Sequence, residues 1–239
     1  MARSVLFVIL TLLAFNLHAQ EYFEVERDSQ LVRPRFAIKI VPTQLAWRFP
    51  AYTAALEHRI GENFSVEYKY GLVKGWDVFE DDAIYFADKS GFKSAITLKM
   101  YASETRNLSG MSSWFYGDGQ NSSILPFIGF ELLFNEINFD RTRIFRIDCN
   151  NGCEYFEKAT YGVSRQEIGI RWNLGFIAKL IGSLNIEMSG AVGFVNQDYT
   201  PDSRRPKNFD RMYGRNYDEE FNGIVPSLNL SMKLMYSLK

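Results

Sequence analysis

Beyond residue 20 the chain has no apolar run long enough to cross a bilayer as a helix, because charged residues break every such stretch. A helical span needs about 20 apolar residues. If this chain enters a membrane it does so as strands, the other backbone form that satisfies its own hydrogen bonds. An excess of either charge is also missing: 27 basic and 28 acidic side chains leave a net charge of −1. That balance argues against a nucleic-acid partner, which requires a basic face. Histidine is scarce, with His18 and His58 only, and cysteine is limited to Cys149 and Cys153. No Gly-x-Ser-x-Gly elbow, His-Glu-x-x-His pair or phosphate-binding Walker loop occurs. The composition therefore points to a protein with no cofactor, no metal centre and no enzymatic activity. Aromatic residues are not scarce, at 15%.

The first 19 residues read as a cleaved export signal. Arg3 supplies a positive start, Val5 to Phe15 is apolar apart from Thr11, and Leu17-His18-Ala19 precedes Gln20 as a signal-peptidase site. Residues 20–33 are polar and aperiodic and read as a short periplasmic tail, with one domain over 34–239. An exported chain meets an oxidising compartment. Cys149-Asn-Asn-Gly-Cys153 then reads as a disulfide across a tight Asn-Gly turn. Such a short loop gains about 2 kcal/mol by the chain-entropy model.

Eight strand candidates follow, at 35–47, 51–60, 63–73, 92–103, 125–139, 159–176, 183–197 and 224–238. Each is near the 9–11 residues that a tilted membrane strand requires. The clearest is Phe64 to Leu72: Phe64, Val66, Tyr68, Tyr70 and Leu72 share one face, while Ser65, Glu67, Lys69 and Gly71 share the other. Ile168, Ile170, Trp172 and Leu174 likewise oppose Glu167, Gly169, Arg171 and Asn173. The repeated period of two is the strand signal. Pro42 interrupts the first candidate and predicts a bulge.

A soluble sheet turns its apolar face to a core, whereas a membrane barrel turns it outward. A soluble barrel of this sequence would bury Glu67, Lys69, Glu131 and Arg171, or expose Ile168 to Leu174 as a large apolar patch. The sequence therefore predicts an all-β, antiparallel up-and-down transmembrane barrel of about eight strands. An extra hairpin within 104–124 would make ten. The inward rows carry Lys39, Glu57, Arg59, Glu67, Lys69, Lys93, Lys99, Glu131, Glu167, Arg171, Glu187 and Lys233. An eight-stranded lumen is only wide enough for side chains to fill. Buried charges must pair, so this set predicts an ion network that closes the lumen. Long loops are expected at 74–91, 140–158 and 198–223. The first is acidic, with Asp77, Glu80, Asp81, Asp82 and Asp88, but matches no calcium loop. In the last, Arg204, Arg205, Lys207, Arg211 and Arg215 are candidates for contact with lipopolysaccharide phosphates or a protein partner. Six acids in the same loop offset them. His58 falls on the outward row beside a short turn, which suits packing better than catalysis.

The signal, the alternating strands and the segment TAALEHRIGENFSVEYKYGL at 53–72 resemble the small outer-membrane β-barrels of Gram-negative bacteria, of the OmpA/OmpX kind, in the style of the short barrels of the Bacteroidota. The resemblance implies residence in the outer membrane among lipid and lipopolysaccharide, and insertion by the barrel-assembly machinery. It carries no catalytic residues. Such barrels often end in an aromatic residue, whereas this chain ends Tyr236-Ser-Leu-Lys239. The function expected is structural or exerted through the loops, in adhesion, surface interaction or envelope assembly. A narrow channel, a lipid-modifying barrel enzyme and a soluble periplasmic ligand-binding barrel are the alternatives.

Overall fold

The structure, a computed structural model, describes residues 35–61, 63–75, 87–101, 124–148, 154–206, 211–213 and 222–238. The expected signal segment, tail and disulfide, and the extra hairpin, lie outside the described residues. So do the acids of 76–86, and Lys207 and Arg215.

The strands are β1 (Phe36–Ile40), β2 (Ala51–Arg59), β3 (Phe64–Lys74), β4 (Ala87–Tyr101), β5 (Ile124–Asp148), β6 (Glu154–Ile181), β7 (Leu184–Pro201), β8 (Arg211–Tyr213) and β9 (Gly223–Leu238). Eight of them form a closed antiparallel up-and-down barrel, β1 pairing with both β2 and β9, and β4 closing on β5. The short β8 adds to the far end of β5. Cross-strand partners starting at Ile40 run through Ala54, Tyr70, Ser94, Phe134, Ile168 and Asn196 to Ile224. The partner of Ile40 on β9 itself is Leu234. The ring thus closes with a stagger of ten residues, from Leu234 to Ile224. A stagger of this kind goes with strands tilted about 40° from the barrel axis.

One end of the barrel carries the turns at 60–63 and 182–183, and is called here the turn end. The opposite, loop end carries the connections after β1, β3, β5 and β7. The faces fall as the period of two requires. Outward side chains are apolar and exposed, such as Leu56, Ile96, Ile168 at 63% and Leu228 at 66%. On five strands the outward row then turns polar in one step. Leu72 gives way to Lys74, Phe92 to Ser90, Phe134 to Glu136, Ile168 to Gln166, and Phe194 to Asn196. The cross-strand pairs Leu72–Phe92 and Phe134–Ile168 set these edges side by side. Tyr70, Phe92 and Phe134 line this edge, with ring centroids 6.1 and 5.6 Å apart.

Three expectations are corrected. The first strand stops at Ile40, and Pro42–Ala46 forms a 3-10 turn rather than a bulge. Proline cannot donate to the ladder, and the Thr43 hydroxyl accepts the Met232 N–H (3.2 Å) where a strand residue would have paired. The β1–β2 connection is therefore not the short 48–50 but the whole of 41–50. The expected loop at 140–158 is for the most part strand, since β5 runs on to Asp148 and β6 begins at Glu154. Its inward row, with Arg141, Arg143 and Phe145, is buried, so the strand continues beyond the end of the apolar band. Likewise β7 extends to Pro201, and β8 lies within the expected 198–223 loop.

Candidate functional site: a layered lumen

The inward rows build the lumen in layers. At the turn end Ala37, Tyr101, Leu125, Phe127, Ile177 and Met235 form an apolar plug. Above it lie three ammonium and three carboxylate groups from six strands. Glu57 and Glu67 are direct cross-strand partners. Like charges in that position repel, so cations must be brought to them. Lys39 bonds Glu57, Glu67 (2.7 Å) and Glu187. Lys99 bonds Glu67 at 2.6 Å, Glu187 at 2.7 Å and Glu57 at 3.2 Å. Lys233 bonds its cross-strand partner Glu187 (2.8 Å) and Glu67. Ser65 donates to Glu57 at 2.5 Å, and the Tyr101 hydroxyl donates to the same carboxylate. Lys39, Lys99, Glu67 and Glu187 are at most 1% exposed.

Oxygen atoms of Glu57, Glu67 and Glu187 lie within 4.8 Å of one another, close enough to act as cation ligands. The three lysine ammonium groups fill that role. The other two strands close the layer with carbon. The Phe127 ring lies 4.6 Å from Lys99 Nζ, and the room for that ring comes from Gly175, where a Cβ would approach the ring to 2.6 Å.

A second group sits nearer the loop end. Glu131 accepts from Lys69 (3.0 Å), from its cross-strand partner Arg171 (3.3 Å) and from Thr97 (3.3 Å). The void between the two charged layers measures only 10 Å³, about the space of a single water. Beyond it a cavity of 480 Å³ occupies the loop-end half of the lumen. Its wall includes the apolar side chains Ala95, Leu133 and Val195, together with Glu167. Glu167 accepts from its cross-strand partner Asn135 (2.7 Å) and from Arg165. Lys93 reaches across to the Pro42–Pro50 segment, donating to the Phe49 carbonyl at 2.7 Å and to Gln44 at 3.5 Å. Phe49, Ile137, Phe139, Phe145, Tyr161 and Val163 form an apolar core at the loop end.

The expected lumen set is thus split. Lys39, Glu57, Glu67, Lys99, Glu187 and Lys233 make the inner layer. Lys69, Glu131 and Arg171 make the second, and Lys93 and Glu167 line the cavity. Arg59 does not share their burial, because its place at the end of β2 leaves it exposed. The residue patterns above missed Arg165, Arg141 and Arg143, although counting back by twos from Glu167 finds the first. His58 points outward and stacks on Phe36, ring centroids 4.3 Å apart, away from the cavity. Of the loop cations, Arg204 is fixed to Asp140 (2.8 Å) and Asp202 (2.7 Å). Those hydrogen bonds raise its pKa. Arg205 lies over the Tyr161 ring. Arg211 begins β8, opposite Arg146.

No protein family, curated protein or solved structure matches the chain.

Proposed function

We propose that the protein is a membrane-inserted barrel of the bacterial outer-membrane type, closed to conduction, which acts through its loop end. The observation that carries this reading is the outward apolar band with charge inside. From Leu184 to Phe194 the band runs eleven positions along β7, a rise of about 33 Å along the strand. At a tilt of about 40° the height is about 25 Å, that of the apolar band of outer-membrane barrels. Rings at its edge, Tyr70, Phe92 and Phe134, suit an interfacial girdle. The turn end, with both described chain termini, then faces the periplasm and the loop end faces outward. The export signal, lipopolysaccharide surroundings and insertion by assembly machinery belong to the same proposal.

The closed lumen favours this function over a channel. An ion would have to cross the apolar plug and then separate buried, hydrogen-bonded pairs that leave 10 Å³ between layers. Purified protein should migrate as a heat-modifiable band and produce no conductance steps in planar bilayers. Stepwise conductance would overturn the closed-lumen reading. A soluble periplasmic product without heat-modifiable mobility would overturn the membrane reading.

A further inference from the structure

The loop-end cavity has more cationic groups than its carboxylates can partner. Lys69 and Arg171 share Glu131, and Arg165 bonds Glu167. Lys93 has only the neutral oxygens of Phe49 and Gln44 as hydrogen-bond partners among the described residues. Besides the exposed Arg48, four cations therefore face two carboxylates around 480 Å³. A second observation points the same way. Arg165 Nε is buried and has no hydrogen-bond acceptor among the described residues. The guanidinium itself is held over the rings of Phe49 (5.4 Å) and Tyr199 (5.3 Å). The inner layer, by contrast, balances three lysines with three glutamates. This excess of cations thus surrounds a space with room for a small molecule.

The wall beside this cavity is also lowest where a ligand would need to pass. β1 ends at Ile40 and β2 begins at Ala51, while β9 continues to Gly223. Above Met232 no described strand pairs with this edge of β9, and Pro226 on it has no N–H to offer. The Pro42–Pro50 segment fills the step, with Trp47 39% exposed at the mouth.

We infer that this cavity binds a phosphate-type anion, held by Lys93 and Arg165 and flanked by Lys69 and Arg171, with its uncharged portion against Ala95, Leu133 and Val195. Lysine and arginine together are the natural phosphate donors, and the volume is that of a small-molecule site. The anion comes either as a free solute or as a lipid headgroup passing the low rim beside Leu228. The inference deepens the loop-end function proposed above and rests on it for the orientation of the site.

The test is calorimetric titration of the full chain in nonionic micelles with three probes: glycerol, glycerol 3-phosphate and its lauroyl monoester. Glycerol 3-phosphate should bind saturably at one site, and glycerol should not. Lys93→Met should weaken binding at least tenfold, and Ala95→Phe, which fills the cavity without changing charge, should abolish it. Lys93→Arg should retain it, which separates charge from packing. Heat-modifiable mobility of the same samples scores folding, so a failed membrane reading is distinguished from a failed site. If the lauroyl ester binds more than tenfold tighter than glycerol 3-phosphate, the ligand is a lipid headgroup. Equal affinity identifies a free solute. No saturable binding of either phosphate, binding of glycerol equal to that of its phosphate, or undiminished binding by folded Lys93→Met would overturn the inference.

Discussion

The two halves of the lumen use the same residue types to opposite ends. Toward the turn end, three lysines and three glutamates from six strands bond one another and are sealed by carbon on the side of the plug. Toward the loop end, lysine, arginine and glutamate surround open volume, and their charges do not balance. Charge in a barrel therefore has two roles. Matched and close-packed it is filling, and unmatched beside a cavity it is a recognition surface. The difference lies in neighbours. Glu57 and Glu67 stand directly opposite each other and draw cations from three other strands. Lys93 stands opposite Gly71 and Asn135, neither of which carries charge.

The strongest way to break the contrast is to unbalance the inner layer. Glu67→Gln keeps the shape but leaves three buried lysines against two carboxylates. Removing one partner of a buried ion pair costs about 3–5 kcal/mol. The variant should show a large drop in the urea midpoint of the heat-modifiable form in vesicles. An unchanged midpoint would mean that the layer is wetter than its burial implies.

A smaller effect is expected from the outward face. Ile170→Arg places a cation in the apolar band of β6 and should lower membrane insertion by about 2–4 kcal/mol, read as the fraction of folded protein that floats with vesicles. Normal insertion would count against a lipid-facing band.

The smallest effect belongs to the rim. Asp202 is exposed, and its slight desolvation pushes its carboxyl up. Hydrogen bonds from Arg204 and from the backbone outweigh that push and hold the carboxyl below its usual value of 3.8. A carboxylate depressed in the folded state contributes stability above its unfolded pKa and loses it as pH falls through the folded one. The contact of the Asp202 N–H with the Gly162 carbonyl (2.8 Å) should therefore lose protection, measured against the intrinsic exchange rate at each pH, below about pH 4. Arg204→Ala should produce the faster exchange already at neutral pH, with no change in global unfolding. Equal exchange in both proteins would show that Arg204 does not hold this corner.

Much of the barrel was legible because strand periodicity is local. Alternation along Phe64 to Leu72 assigns a face to every residue without reference to any other strand, and the observed faces agree. The inward charges of both lumen halves follow from the same rule. Strand ends were less legible. Beyond Phe139 the inward row mixes arginines with Phe145, so the pattern changes character while the ladder continues to Asp148. Arg59 shows the converse error, in which parity is correct but the strand ends before burial begins.

The sequence by itself determined that strands alternate, that apolar rows share one face, and that both signs of charge share the other, because these depend on spacing within one strand. Only the tertiary structure decided which charges meet. Lys39 finds Glu187 across 148 residues of chain, a contact set by strand order and by the ten-residue stagger of the ring. The break at Pro42, the low rim and the unbalanced cavity have the same origin. A barrel closes as a whole, and register around the ring determines where side chains fill the lumen and where they leave room.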